Sequence, residues 1–237
     1  MSVNLADAPT VSLARPKPRW YQIFSWQMYD FADTIVSMNV NSRYFGLWVT
    51  QVMLAPAYVY TNTLAATMLV VALVSPILGA MSDAHQKRLP FLRFFALACA
   101  LFTALIGFTS SLYVALFFYM LSNFSYNAAG GFYNALLPGL STEKNVSTVS
   151  GIGVALGYVG AVAGILLVAP FASDNPQAAF LPTAVLFLLF AIPCLTLVPD
   201  FSRERTGRIR LNWREAYGQV ADTFRSSRDY PGLFLFL

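Results

Sequence analysis

Between about Tyr21 and Val49 the chain runs apolar for long enough to cross a bilayer, yet that run contains Asp30, Asp33 and Arg43. A charge near the middle of a membrane helix costs about 2.5–3.5 kcal/mol on insertion scales, so it is rarely kept there without a use. At about 100° per residue, Asp30, Asp33, Ser37, Asn41 and Tyr44 fall on one narrow polar stripe, about 21 Å long at about 1.5 Å per residue. Such a stripe must face protein or water rather than lipid. On the same wheel Asn39 and Arg43 lie roughly opposite, and Arg43 has the stem length to snorkel to the headgroups.

Five further apolar runs follow, at about 58–81, 91–110, 112–137, 149–171 and 179–198. Hydrophobic residues make up 57% of the chain and charged ones 11%, which fits an all-α integral membrane protein rather than a soluble domain. The two cysteines, Cys99 and Cys194, sit in apolar runs and form neither a disulfide framework nor a metal spacing, and the single histidine, His85, lies in a loop. Cofactor, metal and the usual soluble catalytic constellations are therefore not expected, nor is an enzyme. A Walker-type phosphate loop is absent, which argues against an ATP-driven pump.

Charge sets an orientation. With the N-terminus inside, fourteen of the fifteen basic residues fall in cytoplasmic segments and only Arg43 does not. The expected plan is a cytoplasmic tail over 1–20, six transmembrane helices over 21–199, a basic and then amphipathic cytoplasmic linker over 200–231, and at 232–237 the start of a seventh span. Net charge +4, placed this way, indicates the bilayer as partner and not nucleic acid. A cell membrane is the expected location, with an organelle membrane as the other possibility.

The fourth run repeats the pattern of the first. Asn123, Tyr126, Asn127 and Asn134 share one face with Tyr119 and Gly130, and amides at bilayer depth need partners. Paired with the stripe of the first helix they would line a hydrated path, with Asp30 and Asp33 as candidates for coupling to a proton or sodium. In the fifth run Gly153, Gly157, Gly160 and Gly164 stand at i, i+4, i+7 and i+11, a packing face that lets two backbones approach closely.

Four stretches carry a family resemblance. The turn after the second run, Gly79-Ala80-Met81-Ser82-Asp83-Ala84-His85-Gln86-Lys87-Arg88, resembles the signature loop of the major facilitator superfamily, matching at Gly79, Ser82, Asp83, Lys87 and Arg88 and departing at Ala84 and Gln86. Trp26-Gln27-Met28-Tyr29-Asp30-Phe31-Ala32-Asp33 looks like the W-x-x-Y-D-x-A-N/D opening of its vacuole-effluxer-like branch, the "unknown major facilitator" family. Tyr133-Asn134-Ala135-Leu136-Leu137-Pro138 and Ser150-Gly151-Ile152-Gly153 through Gly160 are similar to two further motifs of that branch.

The resemblance implies the N-terminal half of a twelve-helix transporter, built as two inverted three-helix repeats, with a C-terminal six-helix half as its missing partner. It implies a small-molecule solute, an amino acid or related metabolite, moved by alternating access, and a conformational-switch loop at Gly79, Asp83, Lys87 and Arg88. Two alternatives stay open: a cation-coupled sugar symporter, and a non-transporting membrane scaffold or receptor whose polar stripes only glue helices together.

Overall fold

The computed structural model describes residues 18–85, 87–200 and Gly218, leaving the side chains of 83–85 aside. The expected tail over 1–17, the linker beyond Asp200 and the seventh-span start at 232–237 lie outside the described residues, as does the side chain of Asp83.

Among the described residues the chain is all-helical, with six long helices. The first, α1 (Trp20–Val36), continues without a break through a π-helical segment (Ser37–Tyr44), a short α-helical stretch (Phe45–Leu47) and a second π-helical segment (Trp48–Val52). There follow α2 (Ala57–His85), α3 (Leu89–Ile106), α4 (Leu112–Leu140), α5 (Val146–Val168) and α6 (Phe180–Leu197). The sequence-derived boundaries agree with these to within about four residues.

Four stretches are long and apolar enough to cross a membrane by length and composition: Ala57–Ser82, Leu89–Ile106, Val146–Phe171 and Pro176–Leu197. The two helices that fall short are α1 and α4, which carry the polar stripes. Each is packed against neighbouring helices. α1 packs along α5 and α6, and α4 along α3, with α2 resting on α4. The exposed surface is apolar instead, as at Leu69 and Leu73 on α2 and Tyr158 and Leu166 on α5. Apolar outside with polar groups turned inward is the arrangement a bilayer demands.

Two glycine-mediated and two capping contacts fix how these helices sit. A Cβ added at Gly157 would stand 2.9 Å from Thr34 Oγ1, and one at Gly164 would stand 3.0 Å from a side-chain carbon of Ile35, so α1 lies directly on the glycine face of α5. At the end of the bundle where α2, α4 and α6 finish, Arg93 Nε of α3 donates to the Leu195 carbonyl at 2.7 Å, answering one of the orphan acceptors in the last turn of α6. In return Asp200, just beyond α6, accepts from the backbone N–H of Arg88 at 2.9 Å and of Leu89 at 3.1 Å, capping the start of α3. At the opposite end Gln177 Nε2 donates to the Ile106 and Thr109 carbonyls, tying the loop before α6 to the loop after α3.

The wheel placed Asn39 opposite the polar stripe, and the structure turns it to α5, on the same side as Ile35, where it is fully buried with Nδ2 donating to the Gly164 carbonyl at 3.1 Å. From Ser37 the helix widens into π-helical turns, whose bonds reach back five residues, as from the N–H of Phe45 to the Val40 carbonyl. Each such turn holds an extra residue, so a wheel drawn for an α-helix loses phase from Ser37 onward. Ser42 supports the wide turn by donating from Oγ to the Ser37 carbonyl at 3.1 Å.

Candidate functional site

The first half of the α1 stripe meets the middle of α4. Both helices expose few polar groups to the outside, and the chain direction reverses between them, so rising numbers on α1 face falling numbers on α4. The Tyr126 hydroxyl donates to Asp33 Oδ2 at 2.7 Å, with Ser37 beside the same hydroxyl. One turn earlier on α1, Asp30 stands opposite Tyr133, whose buried hydroxyl closes no hydrogen bond of regular geometry. Asp33 Oδ1 is sealed from solvent and has no partner. Asp30, half-buried, keeps its carboxylate in reach of solvent.

An aromatic ladder holds this junction rigid. Trp26 stacks on Tyr133 with ring centroids 4.5 Å apart, and its indole N–H donates to the Tyr133 carbonyl at 3.1 Å. Tyr29 stacks on the other side of Tyr133 at 4.8 Å and meets the Phe187 ring of α6 edge-on at 6.0 Å. Stacked rings of this kind are worth about 0.5–1.5 kcal/mol each beyond their buried area. They fix α1 against α4 with little side-chain freedom, so the two carboxylates are presented at set depths. Behind Tyr126, Ser122 of α4 shares a 2.7 Å hydrogen bond with Thr103 of α3 and lies 3.8 Å from Cys99.

The expected pathway residues therefore divide. Asp30, Asp33, Ser37 and Tyr126 come together. Asn127 lies next along α4, where its Nδ2 donates to the carbonyl and Oδ1 of Asn123 at 2.7 and 3.1 Å. Asn123 itself is buried, with Nδ2 unpartnered. Asn41 contributes its carbonyl, which accepts from the Tyr60 hydroxyl of α2. Tyr44 is in the core, 3% exposed, with the Arg43 guanidinium 5.3 Å above its ring. Asn134 is exposed on α4, outside this cluster. Missed by the sequence reading were the roles of Tyr29, Tyr133 and Trp26; the density of aromatics at 26, 29 and 133 was visible, but nothing in spacing could pair helices 107 positions apart.

The loop residues sit at one end of a second feature. A cleft of about 330 Å³ opens between α2 and α4, walled by Ser75, Gly79 and Ser82 on one side and Asn127 and Gly131 on the other, with Arg88 at its end. Arg88 also donates to the Ala135 carbonyl of α4. Lys87 is exposed. The small residues Gly79 and Gly131, with open space where a Cβ would stand, keep this cleft open.

Gly153 of α5 completes the acidic site from a third side. A Cβ there would stand 2.5 Å from Asp30 Oδ2 and 3.4 Å from the Trp26 ring. The Asp30 carboxylate thus fits only because α5 has no side chain at that point.

Comparison with known proteins places this architecture. A family model described as vacuole effluxer Atg22 like matches residues 44–237. The chain is 31% identical over 235 aligned residues to an uncharacterized MFS-type transporter, YxiO, of Bacillus subtilis (strain 168), an alignment that covers 90% of this chain and 54% of the relative. It is 28% identical over 172 residues to an uncharacterized protein of Aquifex aeolicus (strain VF5), covering 72% of this chain and 44% of that protein. The chain thus spans about half the length of the curated relatives it matches. With the family model covering most of its residues and a relative described as an MFS-type transporter aligned over nearly all of it, the chain belongs to the Atg22-like vacuole effluxer family.

Proposed function

We propose that this chain supplies one six-helix half of a secondary active transporter, which moves a small solute by alternating access and draws on a proton or cation gradient. The observation that carries the reading is the joined polar face of α1 and α4, where Asp30, Asp33, Ser37 and Tyr126 meet inside a bundle whose outside is apolar. Carboxyl groups at that depth are costly unless they serve a path, a relay or a partner. By analogy with an effluxer family, the solute is an amino acid or related metabolite. The loop at Gly79, Asp83, Lys87 and Arg88 would steady one of the two access states against the second half, and the glycine face of α5 would let α1 ride close during the change. The six helices would span the membrane as two inverted repeats of three with both ends on the cytoplasmic side.

The test uses the full-length protein. Cys99 and Cys194 are fully buried, so this half adds no background toward water-soluble thiol reagents, and the unsubstituted full-length protein serves as the labelling control. Ser37→Cys and Asn127→Cys should each label from water, and replacing Asp30 and Asp33 together by Asn should abolish gradient-driven accumulation of amino acids in proteoliposomes while leaving insertion intact. Absence of labelling at both positions would favour a dry scaffold. A thermal-shift panel of amino acids against sugars, with and without sodium, separates the effluxer reading from a sugar symporter.

A further inference from the structure

We infer that Asp33 Oδ1 is the atom that binds the coupling ion, that the ion is a proton, and that Asp30 is not its seat. The inference deepens the transporter reading above and rests on it. Asp33 is the better-sealed carboxyl of the pair. Its Oδ2 is occupied by the Tyr126 hydroxyl at 2.7 Å, and its Oδ1 lies out of solvent with no donor directed at it. Every ionisable group facing it is an acid: Tyr29 and Asp30 from α1, Cys99 from α3, and Tyr126 and Tyr133 from α4. Cys194 of α6 faces the neighbouring Asp30 and Tyr133, and α5 presents only glycine to Asp30.

No Lys, Arg or His among the described residues forms an ion pair with Asp33. A full negative charge on Oδ1 would therefore be buried without donor or counter-ion, which is among the costliest arrangements in a folded interior. Two further buried hydroxyls lie in the same nest: that of Tyr29 makes no hydrogen bond, and that of Tyr133 is directed at Asp30 rather than at Asp33. A proton on Oδ1 removes the charge without demanding the shell of oxygen ligands that a metal cation needs. Tyr126 then fixes which oxygen is free to take it. In the cycle, a hydronium ion from one compartment gives up its proton, an O–H bond forms on Oδ1, and the same bond breaks when the proton passes to water of the other compartment. No electrons change hands.

The experiment is infrared difference spectroscopy on the purified full-length protein in lipid nanodiscs at neutral pH, in light and heavy water. A C=O stretching band of a protonated carboxyl group should be present in the wild type and in D30N, absent in D33N, and displaced in Y126F, which loses the hydrogen bond to Oδ2. If D33N does not survive purification, Y126F decides alone, and an unmoved band overturns the assignment. The inference is also overturned if the wild type shows no such band, if the band vanishes in D30N and persists in D33N, or if sodium chloride abolishes it at fixed pH where potassium chloride does not. Failure of the transporter reading looks different: wild-type proteoliposomes would accumulate none of a panel of radiolabelled amino acids under a pH gradient, whatever the spectrum shows.

Discussion

The Tyr126 hydroxyl and Asp33 Oδ2, 93 positions apart in the chain, lie 2.7 Å from each other and form a side-chain-to-side-chain hydrogen bond that joins α1 to α4. Hydrogen bonds to a carboxyl group are worth about 1.5–3 kcal/mol when it is charged and about 1 kcal/mol when it is neutral. Tyr126→Phe keeps the ring and removes only the donor. It should lower unfolding free energy by about 1–2 kcal/mol, read as a reduced midpoint in chemical denaturation of the full-length protein in detergent. A loss below a few tenths of a kcal/mol would mean that the bond is not made in solution.

The glycines of α5 differ sharply in what surrounds them, although all lie on one helix. A Cβ on Gly160 would be driven into the Phe31 carbonyl group of α1, with the Phe31 Cα at 2.9 Å. Backbone cannot step aside as a flexible side chain can, so Gly160→Ala should push α1 off α5 and cost about 1–3 kcal/mol. Gly151, nearer the start of the same helix and exposed, has nothing within 4 Å of such a Cβ. Gly151→Ala should be neutral or stabilise by up to about 1 kcal/mol through helix propensity. Thermal unfolding of the two variants in parallel checks the contrast; equal effects would refute the close α1–α5 approach.

Asp200 and Arg93 exchange caps between α3 and α6. Asp200 Oδ2 takes both amide donors, while its Oδ1 is buried and unpartnered. An amide nitrogen in place of Oδ1 therefore displaces nothing. Asp200→Asn is expected to stay within a few tenths of a kcal/mol of wild type, whereas Asp200→Ala should cost about 1 kcal/mol as a lost helix cap. Denaturant titration of both variants distinguishes them, and an equal loss in both would show that the carboxylate charge, not the accepted bonds, is what matters.

Much of this was readable before any coordinates. Spacing alone identified Gly153, Gly157, Gly160 and Gly164 as one close-packing face, because a residue without a side chain means the same thing on any straight helix. It also put Asp30, Asp33 and Ser37 together, since Trp20–Val36 is regular α-helix up to that point. What failed was everything that needed phase beyond Ser37. Tyr44 was expected on the polar stripe that begins at Asp30 and is instead in the core. No periodicity argument supplies a π-helical turn, because the widened turn is held by tertiary contacts such as the one from Tyr60 to the Asn41 carbonyl. The caps at Asp200 and Leu195 were hidden for a related reason: the partners come from helices about a hundred positions away.

Asn39 gives the sharpest test of the α1–α5 contact. Its Nδ2 donates to the Gly164 carbonyl at 3.1 Å while its Oδ1 is buried without a donor. Were Asn39 on an outer face, Asn39→Leu would be harmless or favourable in lipid and Asn39→Asp would be tolerated with its charge near the headgroups. In the register observed, Asn39→Ala forfeits one buried hydrogen bond and should cost about 1 kcal/mol. Asn39→Asp replaces the donor with a second acceptor aimed at a carbonyl, and brings a charge into the α1–α5 contact. Its cost should exceed that of alanine by about 2 kcal/mol or more, on the scale of placing an aspartate at helix centre. Unfolding midpoints of Asn39→Ala and Asn39→Asp, set beside the yield of folded protein for each, measure the difference. An aspartate no worse than alanine would place this residue at the lipid or water boundary and refute its burial against α5.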